Sequence, residues 1–149
     1  MARGLGNDYS AFIVVDITSF PYNIVAKYKN NEIKPMLFPS IIHDVAKGYN
    51  DAFLLIEVND IGDQVASIIH YDLEYDNLLM ASMRGRAGQV VGTGFSGKKT
   101  QLGVRTTSAV KKLGCSNLKT LLEDDKILVK DYEIISCLLY TSPSPRDIG

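Results

Sequence analysis

Residues 10 to 18, Ser-Ala-Phe-Ile-Val-Val-Asp-Ile-Thr, are rich in β-branched and aromatic side chains, which pack well on a pleated surface, and they predict a strand. Ser19, Phe20 and Pro21 break it. Over residues 22 to 29, Ile24, Ala26 and Tyr28 alternate with Val25, Lys27 and Lys29, so a second strand should fold back as an antiparallel hairpin. Asn30-Asn31 turns the chain again. Leu37, Ile41, Ile42, Val45, Ala46 and Tyr49 then fall at helical spacing. Pro39 confines itself to the first turn of that helix, where a missing N–H costs nothing, and Gly48-Tyr49-Asn50 closes it.

Residues 52 to 58, Ala-Phe-Leu-Leu-Ile-Glu-Val, are almost continuously apolar, which predicts a strand buried on both faces in a parallel arrangement. Asn59 or Asp60 should cap a following helix whose inner side is Ile61, Val65, Ile68, Ile69 and Leu73. Leu78 to Ala81 reads as a short strand. Residues 82 to 104 form a Gly-rich basic loop with room for a β-ribbon. Residues 106 to 124 predict a helix with Val110, Leu113, Leu118, Leu121 and Leu122 inward, and Gly114 inside it should allow close packing. Ile127-Leu128-Val129 is a brief extended piece. The order is hairpin, helix, strand, helix, strand, basic loop, helix: a mixed α/β domain with a part-parallel sheet.

Residues 137 to 149 change character. Thr-Ser-Pro-Ser-Pro-Arg has no periodicity, and the stretch resembles the translated sequencing-adaptor tail seen at the ends of open reading frames from environmental DNA. It is therefore set apart as a non-native tail, with the domain itself over residues 1 to 136.

At 149 residues and 46% apolar, the chain has enough core for one domain of ordinary size. No apolar run reaches about 18 residues, so no membrane span is expected. The first residues lack a signal-peptide block, which points to a cytoplasmic protein. Two cysteines fall short of a disulfide scaffold or a zinc cluster. The net charge of -1 hides an asymmetry. Residues 77 to 122 hold no Asp or Glu but eight bases, leaving eight bases against 17 acids elsewhere. Such a block suits either a polyanion partner or a solvated loop and helix face.

Glu57 is the sharpest candidate for chemistry. It stands near the carboxyl end of the most apolar strand, the end at which α/β sheets bind ligands. A carboxylate buried there is costly unless it is paired or holds a metal. The alternatives are a pairing with a nearby Lys or simple emergence from the sheet. Asp8, in the turn Gly4-Leu5-Gly6-Asn7-Asp8-Tyr9, can approach the same site or bond its own backbone. Residues 92 to 100, Gly-Thr-Gly-Phe-Ser-Gly-Lys-Lys-Thr, match GxGxxG and nearly match a P-loop. However, Lys99 occupies the place of the magnesium-binding hydroxyl, and no helix is expected at Lys98 to cradle a phosphate. A basic loop gripping a nucleic-acid backbone fits these residues better. His43, His70 and Cys115 have no convincing partners at ligand spacing. Asp72, Glu74 and Asp76 crowd a helix end and should face water.

Four segments carry a resemblance: Gly-Leu-Gly-Asn-Asp-Tyr-Ser-Ala-Phe (4 to 12), Leu-Leu-Ile-Glu-Val-Asn (54 to 59), Asp-Leu-Glu-Tyr (72 to 75), and Arg105 through Lys126 with Gly-Cys-Ser-Asn-Leu-Lys-Thr-Leu. The last is the most distinctive, since its composition has no generic reason to exist. With their spacing, over residues 4 to 136, the chain resembles the nuclease domain of tailed-bacteriophage terminase large subunits, the motors that package and cut viral DNA.

The resemblance implies a ribonuclease-H-like mixed sheet with flanking helices and three carboxylates that hold Mg²⁺ or Mn²⁺ for phosphodiester cleavage. Glu57 matches the second carboxylate. The first falls immediately before Met1, and the third lies in a His-Asp-Asp-like segment beyond residue 136. The expectation is thus a fragment without its first core strand and C-terminal part, weakened at its centre and inactive alone. In the intact parent, Glu57 would ligate metal, with Asp8 contributing to the metal site by charge or by fixing the turn. Arg84, Arg86, Lys98, Lys99 and Arg105 would line the path of double-stranded DNA. Partners would be the terminase small subunit and the portal, and the place of action the host cytoplasm at the viral prohead. Two other readings stay open: a non-catalytic nucleic-acid-binding module of the same shape, and a P-loop nucleotide binder, which needs a helix starting at Lys98.

Overall fold

A computed structural model describes residues 9–59, 61–83, 89–92 and 100–130. The elements in chain order are β1 (Ser10–Asp16), β2 (Tyr22–Asn30), α1 (Phe38–Gly48), α2 (Gly62–Ser67) running into a π-helical turn (Ile68–Asp72), β3 (Met80–Met83), β4 (Gln89–Gly92), β5 (Thr100–Leu102), α3 (Ser108–Glu123) and β6 (Ile127–Leu128). Among the described residues, no helix is long and apolar enough to cross a membrane. The chain divides into two compact units, one of residues 1–11 and 29–106, the other of residues 12–28 and 107–149.

In the second unit, the turn after β1 is pinned by Asp16. Its Oδ1 accepts from the Thr18 backbone N–H at 3.0 Å and from the Thr18 hydroxyl at 2.7 Å. These bonds, the backbone one foremost, hold its carboxyl below the usual carboxylate range. So short a connection between neighbouring strands is compatible only with antiparallel pairing. β6 joins the other side of β2 in parallel, Tyr22 opposite Ile127, which makes the three-stranded sheet mixed. Helix α3 starts on the Thr107 hydroxyl, which accepts from the Val110 N–H at 3.2 Å. It ends in a left-handed residue, Asp125 (φ 53°), with the Lys126 N–H on the Leu121 carbonyl at 2.8 Å. That cap turns the chain so that the Lys126 carbonyl receives the Tyr22 N–H at 2.7 Å and β6 can begin.

The expected inner face of α3 is shallow. No residue of the helix is buried, and Leu113 is 64% exposed. At 100° per residue, Val110, Leu118 and Leu121 share one stripe, half-buried, while Leu113 and Leu122 fall on its flanks and are exposed. The close packing expected at Gly114 is not found among the described residues either: a Cβ there would meet none of them within 4 Å.

The first unit is built on α1, whose buried residues are Phe38, Pro39, Ile42 and Ala46. The stripe begins at Phe38, so Leu37 and Tyr49 at its ends stay exposed. Pro39 sits in the first turn as its chemistry requires. Helix α1 packs on α2 and the π-helical turn, and Ile56, Val58, Val65, Ala66, Ile69, Tyr75, Leu78 and Ala81 complete the buried apolar set among the described residues.

Residues 52–58 run parallel to two neighbours on one edge, Leu54 bridging Leu78 and Glu57 bridging Val104. The bonds come from the even-numbered residues: Leu54 N–H to Asn77 O, Val104 N–H to Ile56 O, and Val58 N–H to Val104 O. The other edge, from Phe53, Leu55 and Glu57, has no backbone partner among the described residues. The parallel setting agrees with the sequence, but burial on both faces does not. Ile56 and Val58 are buried and Leu54 half-buried, whereas Phe53 and Leu55 are 61% and 52% exposed. The helices of this unit and the segment's alternate side chains form one core on one face only.

The expected cap at Asn59 is also not made. Among the described residues helix α2 has no side-chain cap bond, and the Gly62 N–H takes the Asn59 backbone carbonyl at 3.1 Å; the other expected cap, Asp60, lies outside the described residues. Beyond α2, the basic stretch does contain a β-ribbon, in the strand order β4-β3-β5. Its register runs from Met80 opposite Gly92 to Met83 opposite Gln89, with Ala81 opposite Gln101. Gly103 (φ 89°) then brings the chain so close to residues 52–58 that a Cβ would lie 2.2 Å from the Ile56 carbonyl oxygen.

Candidate functional site

Alternation along residues 52–58 sends Leu54, Ile56 and Val58 toward the helices and leaves Glu57 on the opposite face, exposed. A carboxylate in contact with water bears no burial penalty, so its retention is not explained by cost. What remains is its position, at the carboxyl end of a segment with parallel neighbours, and its lack of an ion pair among the described residues.

The backbone at Glu57 is tightly set. Gly62 packs on its carbonyl so closely that a Cβ would fall 1.8 Å from the oxygen. On the pairing edge, Glu57 lies opposite Val104. Two residues further along, the Asn59 side chain accepts from the Thr106 N–H at 3.1 Å and donates to the Thr106 carbonyl at 3.3 Å. Sequence reasoning missed this contact. Its only signal was an Asn directly after a strand, and that signal was read as a helix cap.

Of the other predicted site residues, Arg105 is placed, exposed and directly after Val104, at the same end of the segment as Glu57. Asp8, Arg84, Arg86, Lys98 and Lys99 lie outside the described residues. The nucleotide-binding alternative required a helix after the glycine loop. Thr100–Leu102 is a strand instead, so no helix N-terminus stands there to receive a phosphate.

His43 is half-buried, with Nδ1 3.6 Å from the Asp44 carboxylate, and meets Tyr75 edge-on at 5.5 Å between ring centres. His70, on the π-helical turn, has a buried Nδ1 with no hydrogen-bond partner among the described residues. Cys115 is a half-buried free thiol, and Asp72, Glu74 and Asp76 are exposed as expected.

Tyr75 is a second residue the sequence underrated. It is buried, and its hydroxyl donates to the Ala52 carbonyl, tying the start of residues 52–58 to the chain beyond the π-helical turn. Burial, and secondarily the charge of Asp51, push its phenol above the ordinary value of 10.0. Lys47 reaches both partners, 5.9 Å from the Tyr75 ring centre and 3.2 Å from the Asp51 carboxylate.

Among the described residues, no group of three His, Cys, Asp or Glu side chains could hold a metal ion. Glu57 by itself fits a hard divalent cation in kind: it is a carboxylate oxygen donor, open to water and not engaged by a base in any ion pair among the described residues. It supplies one ligand. With this geometry in view, one comparison identifies the relatives: a family model described as a terminase RNaseH-like domain matches residues 1–139.

Proposed function

Because the chain belongs to the terminase RNaseH-like domain family, and is a mixed α/β protein of that fold, we propose that it is the nuclease domain of a phage DNA-packaging terminase large subunit, whose intact parent cleaves double-stranded DNA with Mg²⁺ or Mn²⁺. The observation that carries this reading is the position of Glu57: exposed, without an ion pair among the described residues, at the carboxyl end of a parallel segment. In this reading Glu57 is one ligand of the metal, and Asp8 adds charge or fixes the glycine turn. When bound, the metal activates water and stabilises the leaving oxygen. The edge of residues 52–58 that has no partner among the described residues supports a sheet completed by a further strand of the parent.

Arg84, Arg86, Lys98, Lys99 and Arg105 bind the DNA backbone in this proposal, through charge and without reading sequence. The terminase small subunit and the portal are the protein partners, at the prohead in the host cytoplasm. The test restores the flanking reading frame on both sides and compares the parent domain with Glu57→Ala. Plasmid cleavage should fall by two or more orders of magnitude with folding kept. Unchanged cleavage removes Glu57 from the site. A second reading, a non-catalytic DNA-binding module, is favoured by the described residues bringing no group of three His, Cys, Asp or Glu side chains together for a metal. It wins if the restored domain binds DNA and never cuts it with either metal.

A further inference from the structure

We propose that Asn59 is a positioning residue for Glu57: its carboxamide replaces a missing rung of the backbone ladder at the point where the chain leaves the sheet. The inference rests on the reading of Glu57 as a metal ligand.

The ladder between residues 52–58 and the neighbouring strand end has two regular rungs at this point, Val104 N–H to Ile56 O at 2.8 Å and Val58 N–H to Val104 O at 2.9 Å. A parallel ladder would continue with the N–H and carbonyl of Thr106. Among the described residues no backbone group supplies that rung: Thr106 makes no backbone bond to Val58, the Gly62 N–H takes the Asn59 carbonyl at 3.1 Å, and Gly62 packs against the Glu57 carbonyl. The Asn59 side chain supplies it instead, one acceptor and one donor on a single planar amide, matched to the N–H at 3.1 Å and the carbonyl at 3.3 Å of Thr106.

A shorter side chain could not make both bonds, and Gln would overshoot by one methylene. Glu57 is thereby held between the Val104 rung and the Thr106 clamp, with Gly62 against its carbonyl. Asn59 thus acts on Glu57 through the backbone, fixing where the carboxylate stands relative to Val104 and Thr106.

The experiment uses the domain with its flanking reading frame restored on both sides, with amide hydrogen exchange and Mn²⁺ titration followed by electron paramagnetic resonance. In the wild type, the Thr106 N–H should be protected alongside the Val104 N–H. Asn59→Ala should speed Thr106 exchange several-fold and weaken Mn²⁺ binding about tenfold, the scale of losing a residue that orients a ligand. Glu57→Gln should abolish Mn²⁺ binding at that site, and adding Asn59→Ala to it should change nothing further. Asn59→Ser serves if the Ala variant does not fold. A Thr106 N–H that exchanges freely in the wild type overturns the clamp. Wild-type Mn²⁺ affinity in Asn59→Ala, with binding lost in Glu57→Gln, overturns the positioning role and leaves Glu57 standing. An effect of Asn59→Ala that persists in the Glu57→Gln background also overturns it, as a purely structural contribution. No Mn²⁺ binding by the wild type, or binding undiminished in Glu57→Gln, overturns the Glu57 reading and the inference with it.

Discussion

Tyr75 shows how one side chain can join distant parts of a unit. Its ring is buried, and its hydroxyl satisfies the Ala52 carbonyl, which anchors the beginning of residues 52–58. Tyr75→Phe keeps the ring and loses the donor, so it should destabilise by about 1–2 kcal/mol, the cost of leaving an acceptor unsatisfied. The pH dependence has a definite sign. The unfolded phenol ionises near 10.0, while the folded one resists ionisation because it is buried. Above that pH the unfolded state therefore holds fewer protons, and stability falls as pH rises through the raised folded value. Melting temperatures of wild type and Tyr75→Phe should converge from pH 9 to pH 11. A gap that stays constant would mean the phenol is not shielded.

Among the elements, α2 depends on a single absent atom. The helix follows residues 52–58 after a very short turn, and it can do so because Gly62 has no Cβ to strike the Glu57 carbonyl. Gly62→Ala should cost about 1–3 kcal/mol, as overpacking does when backbone has to move, against a gain of up to about 1 kcal/mol in helix propensity. Chemical denaturation reads the balance, and a variant more stable than wild type would show that α2 is not seated there. The helix then loosens into a π-helical turn, with the Leu73 N–H on the Ile68 carbonyl at 2.9 Å. Period-3.6 reasoning could not find that turn. It put Ile61 and Leu73 on the inner side, where both are only half-buried, and omitted Ala66, which is fully buried.

For the whole molecule, the charge asymmetry gives the most direct test of a nucleic-acid partner. If residues 84–105 grip DNA by its phosphates, neutralising Lys98 and Lys99 together should weaken binding evenly across sequences. It should also flatten the plot of log affinity against log salt by about 1–2. Filter binding of two unrelated duplexes across a salt series measures both. A loss confined to one duplex, or an unchanged slope, removes these lysines from the backbone contact. The β-ribbon gives the proposal a frame: residues 84–88 join β3 to β4 and residues 93–99 join β4 to β5, so four of the five named bases fall in its two connections.

Much was legible from the chain alone because it depends on local chemistry. Richness in β-branched and aromatic residues marked β1, alternation marked β2, Pro39 and Gly48 bounded α1, and the glycine-rich basic stretch allowed for a ribbon. The four quoted segments were enough to suggest the family. Residue spacing could also put Glu57 at the end of an apolar run, since that needs only counting. It could not say which side of that run is covered. Burial depends on which elements arrive from elsewhere, and here they form a core on the face of Ile56 and Val58 and leave Phe53, Leu55 and Glu57 exposed. Nor could spacing find Asn59 and Thr106 together, because they lie 47 residues apart and meet only when two strand ends run parallel. Local propensity is a property of neighbours in sequence; burial and pairing are properties of neighbours in space, and only the tertiary structure supplies those.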